Sequence, residues 1–321
     1  MASVRIGLLV LTLLALMILA SRFALVLHEV GGHAVPAKIL GARRVEIRLS
    51  PMGGGYVSPA FPRPLSAPAG VVFDLGGIAI NLITGAGAWF WARRLKSRGL
   101  WYLALLFLGV GSVAGATTYL TCGFYYGAGD PMGFAPTTQD IRPLQWAWVL
   151  FLPAAAAVGW FGPRHYLDFL AGHFATDTAR RRLLASAGTV GLAGLAYFGL
   201  WAALRDPTIE GSTRTWRIEQ EIARETIARA KERAAQPPPP PNRAPAPPPA
   251  PIPVRPEEVA HRVPAPIGPL VLYAAFAVAG ILSISRTRPP AAAGNLAVPP
   301  PVAFGLAGLA ATVVGLFRLL G

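Results

Sequence analysis

Long apolar runs organise this chain. Seven stretches are apolar enough to cross a bilayer: residues 4–27, 68–92, 100–122, 145–161, 184–204, 267–284 and 302–320. Each comes near the roughly 20 mostly apolar residues that a helical crossing requires. Backbone polar groups in lipid must be satisfied within the segment, so the runs predict helices. They do not alternate apolar with polar, which argues against a β-barrel. A contrasting pattern follows the first run. Arg44-Val45-Glu46-Ile47-Arg48-Leu49-Ser50 alternates with a period of two, Pro51-Met52-Gly53-Gly54-Gly55 signals a turn, and Tyr56-Val57-Ser58 supplies a return strand. The pattern predicts an all-α polytopic membrane protein of six to seven transmembrane helices, with a small β-hairpin after the first span.

The remaining segments divide the chain into four parts. Residues 1–144 hold three spans and the hairpin, and residues 145–204 add further spans bracketed by Trp146, Trp148 and Trp160 as interfacial anchors. Residues 205–266 are extramembrane. Their first portion, 213–235, reads as a polar helix supported by Glu225 and Arg229 four residues apart. A proline tract follows, in which 12 of the 20 residues from Pro237 to Pro256 are proline. Such a tract builds no core and adopts extended polyproline II, a spacer or a docking site for a partner. Residues 267–321 form a C-terminal helical hairpin.

Composition agrees with the membrane reading. Hydrophobic residues make up 53% of the 321 and charged residues 14%, against about 25% charged in soluble domains. Arg5 followed by the apolar stretch Ile6–Ala20 imitates a signal peptide, but the apolar character continues through Leu27 with no small-x-small cleavage site, so a retained span is expected. The single cysteine, Cys122, excludes an intrachain disulfide. The net charge of +14 lies mainly between spans, where anionic lipid rather than nucleic acid is its partner. The short basic loops at 93–98, 162–183 and 285–301 share a face with Arg5, and the positive-inside rule makes that face cytoplasmic, although 36–65 on the opposite face also carries Lys38, Arg43, Arg44, Arg48 and Arg63. The expected location is the cell's inner membrane, multi-pass, with the 205–266 segment outside.

One cluster carries chemistry. Zinc hydrolysis needs imidazoles or carboxylates around the metal, an open position for water and a carboxylate beside that water. His28-Glu29-Val30-Gly31-Gly32-His33 supplies these at the end of the first run, as HExxxH rather than HExxH. On a regular α-helix, five residues turn the chain by about 500° and leave the two imidazoles about 140° apart. A π-bulge with i→i+5 bonding brings them together, and Gly31-Gly32 lies where a helix deforms most easily. Polar Asp74 and Asn81, seven residues apart in the second run, share one helical face, turned toward protein or a water-filled cavity. His165, His173 and His261 lack ligand partners at useful spacing and are expected at surfaces or interfaces.

At these residues the chain resembles the site-2 protease family of intramembrane zinc metalloproteases. Leu27-His28-Glu29-Val30-Gly31-Gly32-His33-Ala34, followed by the Gly-rich hairpin run Gly41–Gly55, is similar to the family's HExGH element and the hairpin beyond it. Gly77-Ile78-Ala79-Ile80-Asn81 looks like its Gly-Pro-x-x-Asn segment, with Ile78 where proline is usual. Gly129-Asp130-Pro131 resembles its aspartate-glycine ligand motif, with proline for glycine. The resemblance covers about residues 20–135. It implies Zn2+ held by His28, His33 and Asp130, Glu29 as the catalytic base, Asn81 facing substrate, and a transmembrane protein as substrate. Spans one and three run in the same direction, so the histidines and Asp130 are expected on one membrane face. The alternative from another class is a non-catalytic scaffold or transporter-like protein without zinc.

Overall fold

The structure is a computed structural model that describes residues 2–95, 99–127, 129–133, 142–171, 178–206, 212–234 and 298–320, with a few isolated positions besides. It is an all-α polytopic membrane fold. Among the described residues, six helices are long and apolar enough to cross a membrane. Helix α1 (Ala2–Val26) passes into a π-helical segment (Leu27–Ala34) and a short α2 (Val35–Ile39). Strands β1 (Arg44–Leu49) and β2 (Gly55–Ala60) follow, then α3 (Ala67–Arg94), α4 (Leu100–Tyr126), α5 (Asp130–Gly133) and α6 (Arg142–Gln145). A 3-10 turn (Trp146–Phe151) leads into α7 (Leu152–Ala171), and α8 (Ala179–Leu204), the polar α9 (Ser212–Ala234) and α10 (Pro300–Leu320) complete the described chain. The expected span 267–284 and the proline tract lie mostly or wholly outside the described residues.

The first helical rod does not stop at Leu27, where the apolar run ends. It continues without a break to Ile39, because the π segment carries backbone hydrogen bonding across the glycines, and Val35 N–H reaches Val30 O in an i→i+5 bond. The hairpin spans 44–49 and 55–60 in an antiparallel register that pairs Leu49 with Gly55 and Val45 with Pro59. Ser50 N–H donates to Gly54 O at 2.9 Å. Because hydrogen-bonded pairs alternate along an antiparallel ladder, Pro59 faces outward from β2, where its missing N–H costs no ladder bond. The outer edge of β1, through Val45, Ile47 and Leu49, keeps its full set of donors and acceptors. No third strand pairs with either edge among the described residues.

Helix packing in lipid relies on close approach of small residues. Helices α3 and α4 meet this way: a Cβ on Gly85 would lie 2.9 Å from Ser112 Cβ, and one on Gly109 would lie 2.6 Å from the Trp89 backbone. One buried cluster joins Leu13 and Leu16 of α1, Leu103 and Leu106 of α4, and Phe169 of α7. A second joins Ile78, Leu120 and Met132. A third places Met52, from the hairpin turn, against Ala15 and Ile18 of α1 and Ala310 of α10. Ala310 lies level with Ala15 and Ile18, and Phe317 lies by Arg22, so α10 runs parallel to α1.

Candidate metal centre

The π segment places its two histidines on one side. His28 Nε2 and His33 Nε2 are 3.3 Å apart, and their ring centroids are 4.9 Å apart. The third donor arrives from the end of α4. Gly127 caps that helix in the left-handed region (φ 64°) and Gly129 repeats it (φ 72°), a conformation that glycine adopts without penalty. The two turns swing Asp130 back over the bundle. Its Oδ2 lies 3.0 Å from His28 Nε2 and 3.1 Å from His33 Nε2. Burial works to raise the Asp130 carboxyl, but hydrogen bonding to His28 and His33 outweighs it and holds the group below the usual carboxylate range. The carboxylate is therefore ionised at neutral pH.

Three features test whether these residues fit a metal. First, donors around a tetrahedral ion at about 2.0–2.1 Å stand roughly 3.3 Å from one another, close to the three separations here. Second, the outer nitrogen of His33 fixes its tautomer. His33 Nδ1–H donates to the Phe73 carbonyl at 2.7 Å, a partner that can only accept, so a neutral His33 turns a lone pair on Nε2 toward the centre. His28 Nδ1 lies 3.2 Å from Asn81 Nδ2, which as placed donates to it. A neutral His28 that coordinates through Nε2 carries its proton on Nδ1, which requires the Asn81 amide turned end for end so that Oδ1 accepts. Ligating histidines are oriented in this way by a second hydrogen bond. Third, space is kept clear at Gly77, where a Cβ would sit 2.5 Å from the Nε2 of both histidines. The donor set fits a metal ion: His28, His33 and Asp130 each offer one ligand atom, all within 4.8 Å of one another.

Glu29 is not among the three donors. It is buried at 4% exposure within the same π segment. Strand β2 opens against it: a Cβ at Gly55 would lie 3.0 Å from Glu29 Cγ. Asp74, on the face it shares with Asn81, lies beside α5, with its carboxyl 2.7 Å from where a Gly133 Cβ would be, and it is outside the ligand group. His165 packs edge-on to Trp89 at 5.7 Å, far from the site in sequence and element. His173 and His261 fall outside the described residues.

Two partners had no sequence signal. Tyr119 Oη accepts the Asp130 N–H at 3.2 Å and steadies the third ligand, and the Phe73 carbonyl is a backbone group. The phenol's place is readable only from the depth of Tyr119 in its helix, about two turns before the end of α4 at Tyr126.

The glycines of the π segment have separable roles. Gly31 meets only the Ile80 side chain at ordinary contact distance, whereas a Cβ on Gly32 would run into the backbone of Gly76 and Gly77 on α3. The π segment therefore crosses α3 backbone to backbone, and this crossing brings Phe73, Gly77 and Asn81 to the histidines. Gly32→Val should force the helices apart, at about 1–3 kcal/mol or more for overpacking. Thermal unfolding should shift down and zinc content should fall, although no ligand is touched. Wild-type zinc content in Gly32→Val by metal analysis would show that the crossing is not required. The chain matches no protein-family model, no curated protein and no solved structure.

Proposed function

We propose that this protein is an intramembrane zinc metalloprotease that cleaves a membrane-protein substrate within or near the bilayer. The observation that carries the proposal is the convergence of His28 Nε2, His33 Nε2 and Asp130 Oδ2 within 3.3 Å of one another, beside the buried Glu29. A zinc ion held there supplies Lewis-acid polarisation and lowers the pKa of water to about 7. Glu29 takes the proton of the attacking water on its carboxylate and returns it to the leaving amine nitrogen. The Phe73 carbonyl holds His33 in the tautomer that keeps Nε2 free, and Asn81 does the same for His28 once its Oδ1 is turned to accept from Nδ1. The intact outer edge of β1 offers backbone donors and acceptors to an unwound stretch of substrate, which would add as a third strand. The resemblance to the site-2 protease family supports His28, His33 and Asp130 as ligands and Glu29 as the base.

Metal analysis of detergent-purified protein tests the proposal, run beside cleavage of a transmembrane substrate. Wild type should carry about one zinc per chain and cleave, and the His28→Ala, His33→Ala double variant should lose both. A folded wild type without zinc would favour a non-catalytic scaffold, and stoichiometric zinc surviving in the double variant would rule out this site.

A further inference from the structure

Arg22 lies inside the first span, six residues before His28, and is buried at 4% exposure. A charged side chain at such a position is costly and marks function. Its guanidinium reaches the hairpin turn with one nitrogen and its own helix with another. Nη1 donates to the Ser50 carbonyl at 2.8 Å, and Nη2 donates to Ser21 Oγ at 3.0 Å. The Phe317 ring of α10 lies 5.8 Å from the guanidinium carbon. Ser21 Oγ also accepts from the Tyr197 hydroxyl of α8 at 2.8 Å.

Ser50 closes the network from the other side. Its Oγ accepts from Gly53 N–H at 3.0 Å and from Asp206 N–H, just past α8, at 3.1 Å. Two residues on, Met52 sits at 1% exposure between α1, α8 and α10. The hairpin is thus fastened at its turn to α1 by one buried cation, and to α1, α8 and α10 by one buried apolar plug. The chain leaving that turn is Gly55, the residue that lies against Glu29.

We infer that Arg22 is a positioning residue: by holding the Ser50 carbonyl it sets the height of the β-hairpin over Glu29 and so transmits the placement of α8 and α10 to the site. The consequence for cleavage rests on the proposed protease function; the consequence for the hairpin does not. Removing the guanidinium frees the turn while leaving His28, His33, Asp130 and Glu29 in place. A shift of about 1 Å in a substrate-aligning element costs about 10²-fold in rate.

The test measures hydrogen exchange, zinc content and cleavage on the full chain for wild type, Arg22→Met, Arg22→Lys and Ser50→Ala. In Arg22→Met, amides of 44–49 and 55–60 should exchange at least about tenfold faster, while those of α3 and α4 keep their wild-type rates. Zinc should stay at the wild-type level, and kcat/KM on a transmembrane substrate should fall about 10²-fold. Arg22→Lys, which keeps one donor, should lie between the two. Ser50→Ala removes the Gly53 and Asp206 ties only, and should loosen the hairpin less than Arg22→Met. Unchanged hairpin exchange in Arg22→Met overturns the inference, as does a rise spread equally over α3 and α4. Should Arg22→Met fail to fold, unchanged hairpin exchange in Arg22→Lys overturns it. If wild type holds no metal and cleaves nothing, the protease proposal fails, and the exchange result still decides whether Arg22 holds the hairpin.

Discussion

Gly77→Ala should give a folded protein that no longer holds zinc. The added methyl carbon would lie 2.5 Å from the Nε2 atoms of both His28 and His33, in the space an ion between them needs. Neither imidazole can retreat freely, since His33 is tied through Nδ1 to Phe73 and His28 to Asn81. Alanine favours a helix over glycine by about 0.8–1.0 kcal/mol, which offsets part of the steric cost, so α3 itself should persist. Zinc affinity should fall by more than the roughly 10–100-fold typical of changes behind the ligands, and cleavage should go with it. Gly76→Ala, one residue earlier, should fail differently. Its methyl would strike the Gly32 carbonyl, so the helix crossing gives way and thermal stability falls together with the metal. Stoichiometric zinc in Gly77→Ala would mean that the ion does not sit between the two Nε2 atoms.

The contrast between Gly31 and Gly32 shows where sequence stops informing. The HExxxH spacing on a helix already demanded i→i+5 bonding, because imidazoles five residues apart on an α-helix diverge; the π segment at Leu27–Ala34 answers that demand. Which glycine matters, and why, depends on the meeting of two distant helices. Only the crossing at Gly76 and Gly77 distinguishes Gly32 from Gly31. Asn81 follows the same logic. Its polar face in an apolar span was legible, but its contact with His28 depends on the rotational register of α3 against the π segment. Arg22 was legible in principle, as a lone cation within the run from Ile6 to Leu27. Its partner, a backbone carbonyl in a turn 28 residues on, has no signature. The apolar run ends at Leu27, yet the helix reaches Ile39, since hydropathy reports where lipid ends and backbone hydrogen bonding decides where a helix does.

Glu29→Gln should keep zinc at the wild-type level and lower cleavage by about 10²–10⁴-fold, the range for loss of a general acid–base. The substitution changes one atom's chemistry in a side chain held at 4% exposure. Glutamine fills the same volume against Gly55, so packing under the hairpin is preserved. It is not one of the three converging donors, so the metal has no reason to leave. What glutamine cannot do is take a proton from water and hand it on. Two other roles for Glu29 make different forecasts. As a fourth ligand, its replacement would lower zinc content along with activity. As packing only, it would leave turnover near wild type. Zinc content and turnover measured on the same preparation separate the three cases, and wild-type turnover in Glu29→Gln would remove Glu29 from the chemistry. Glu29→Asp provides the graded comparison: the carboxylate survives but is withdrawn by one methylene from the donors. Activity should fall below wild type and stay above Glu29→Gln, because a base out of place by about 1 Å still transfers some protons while an amide transfers none.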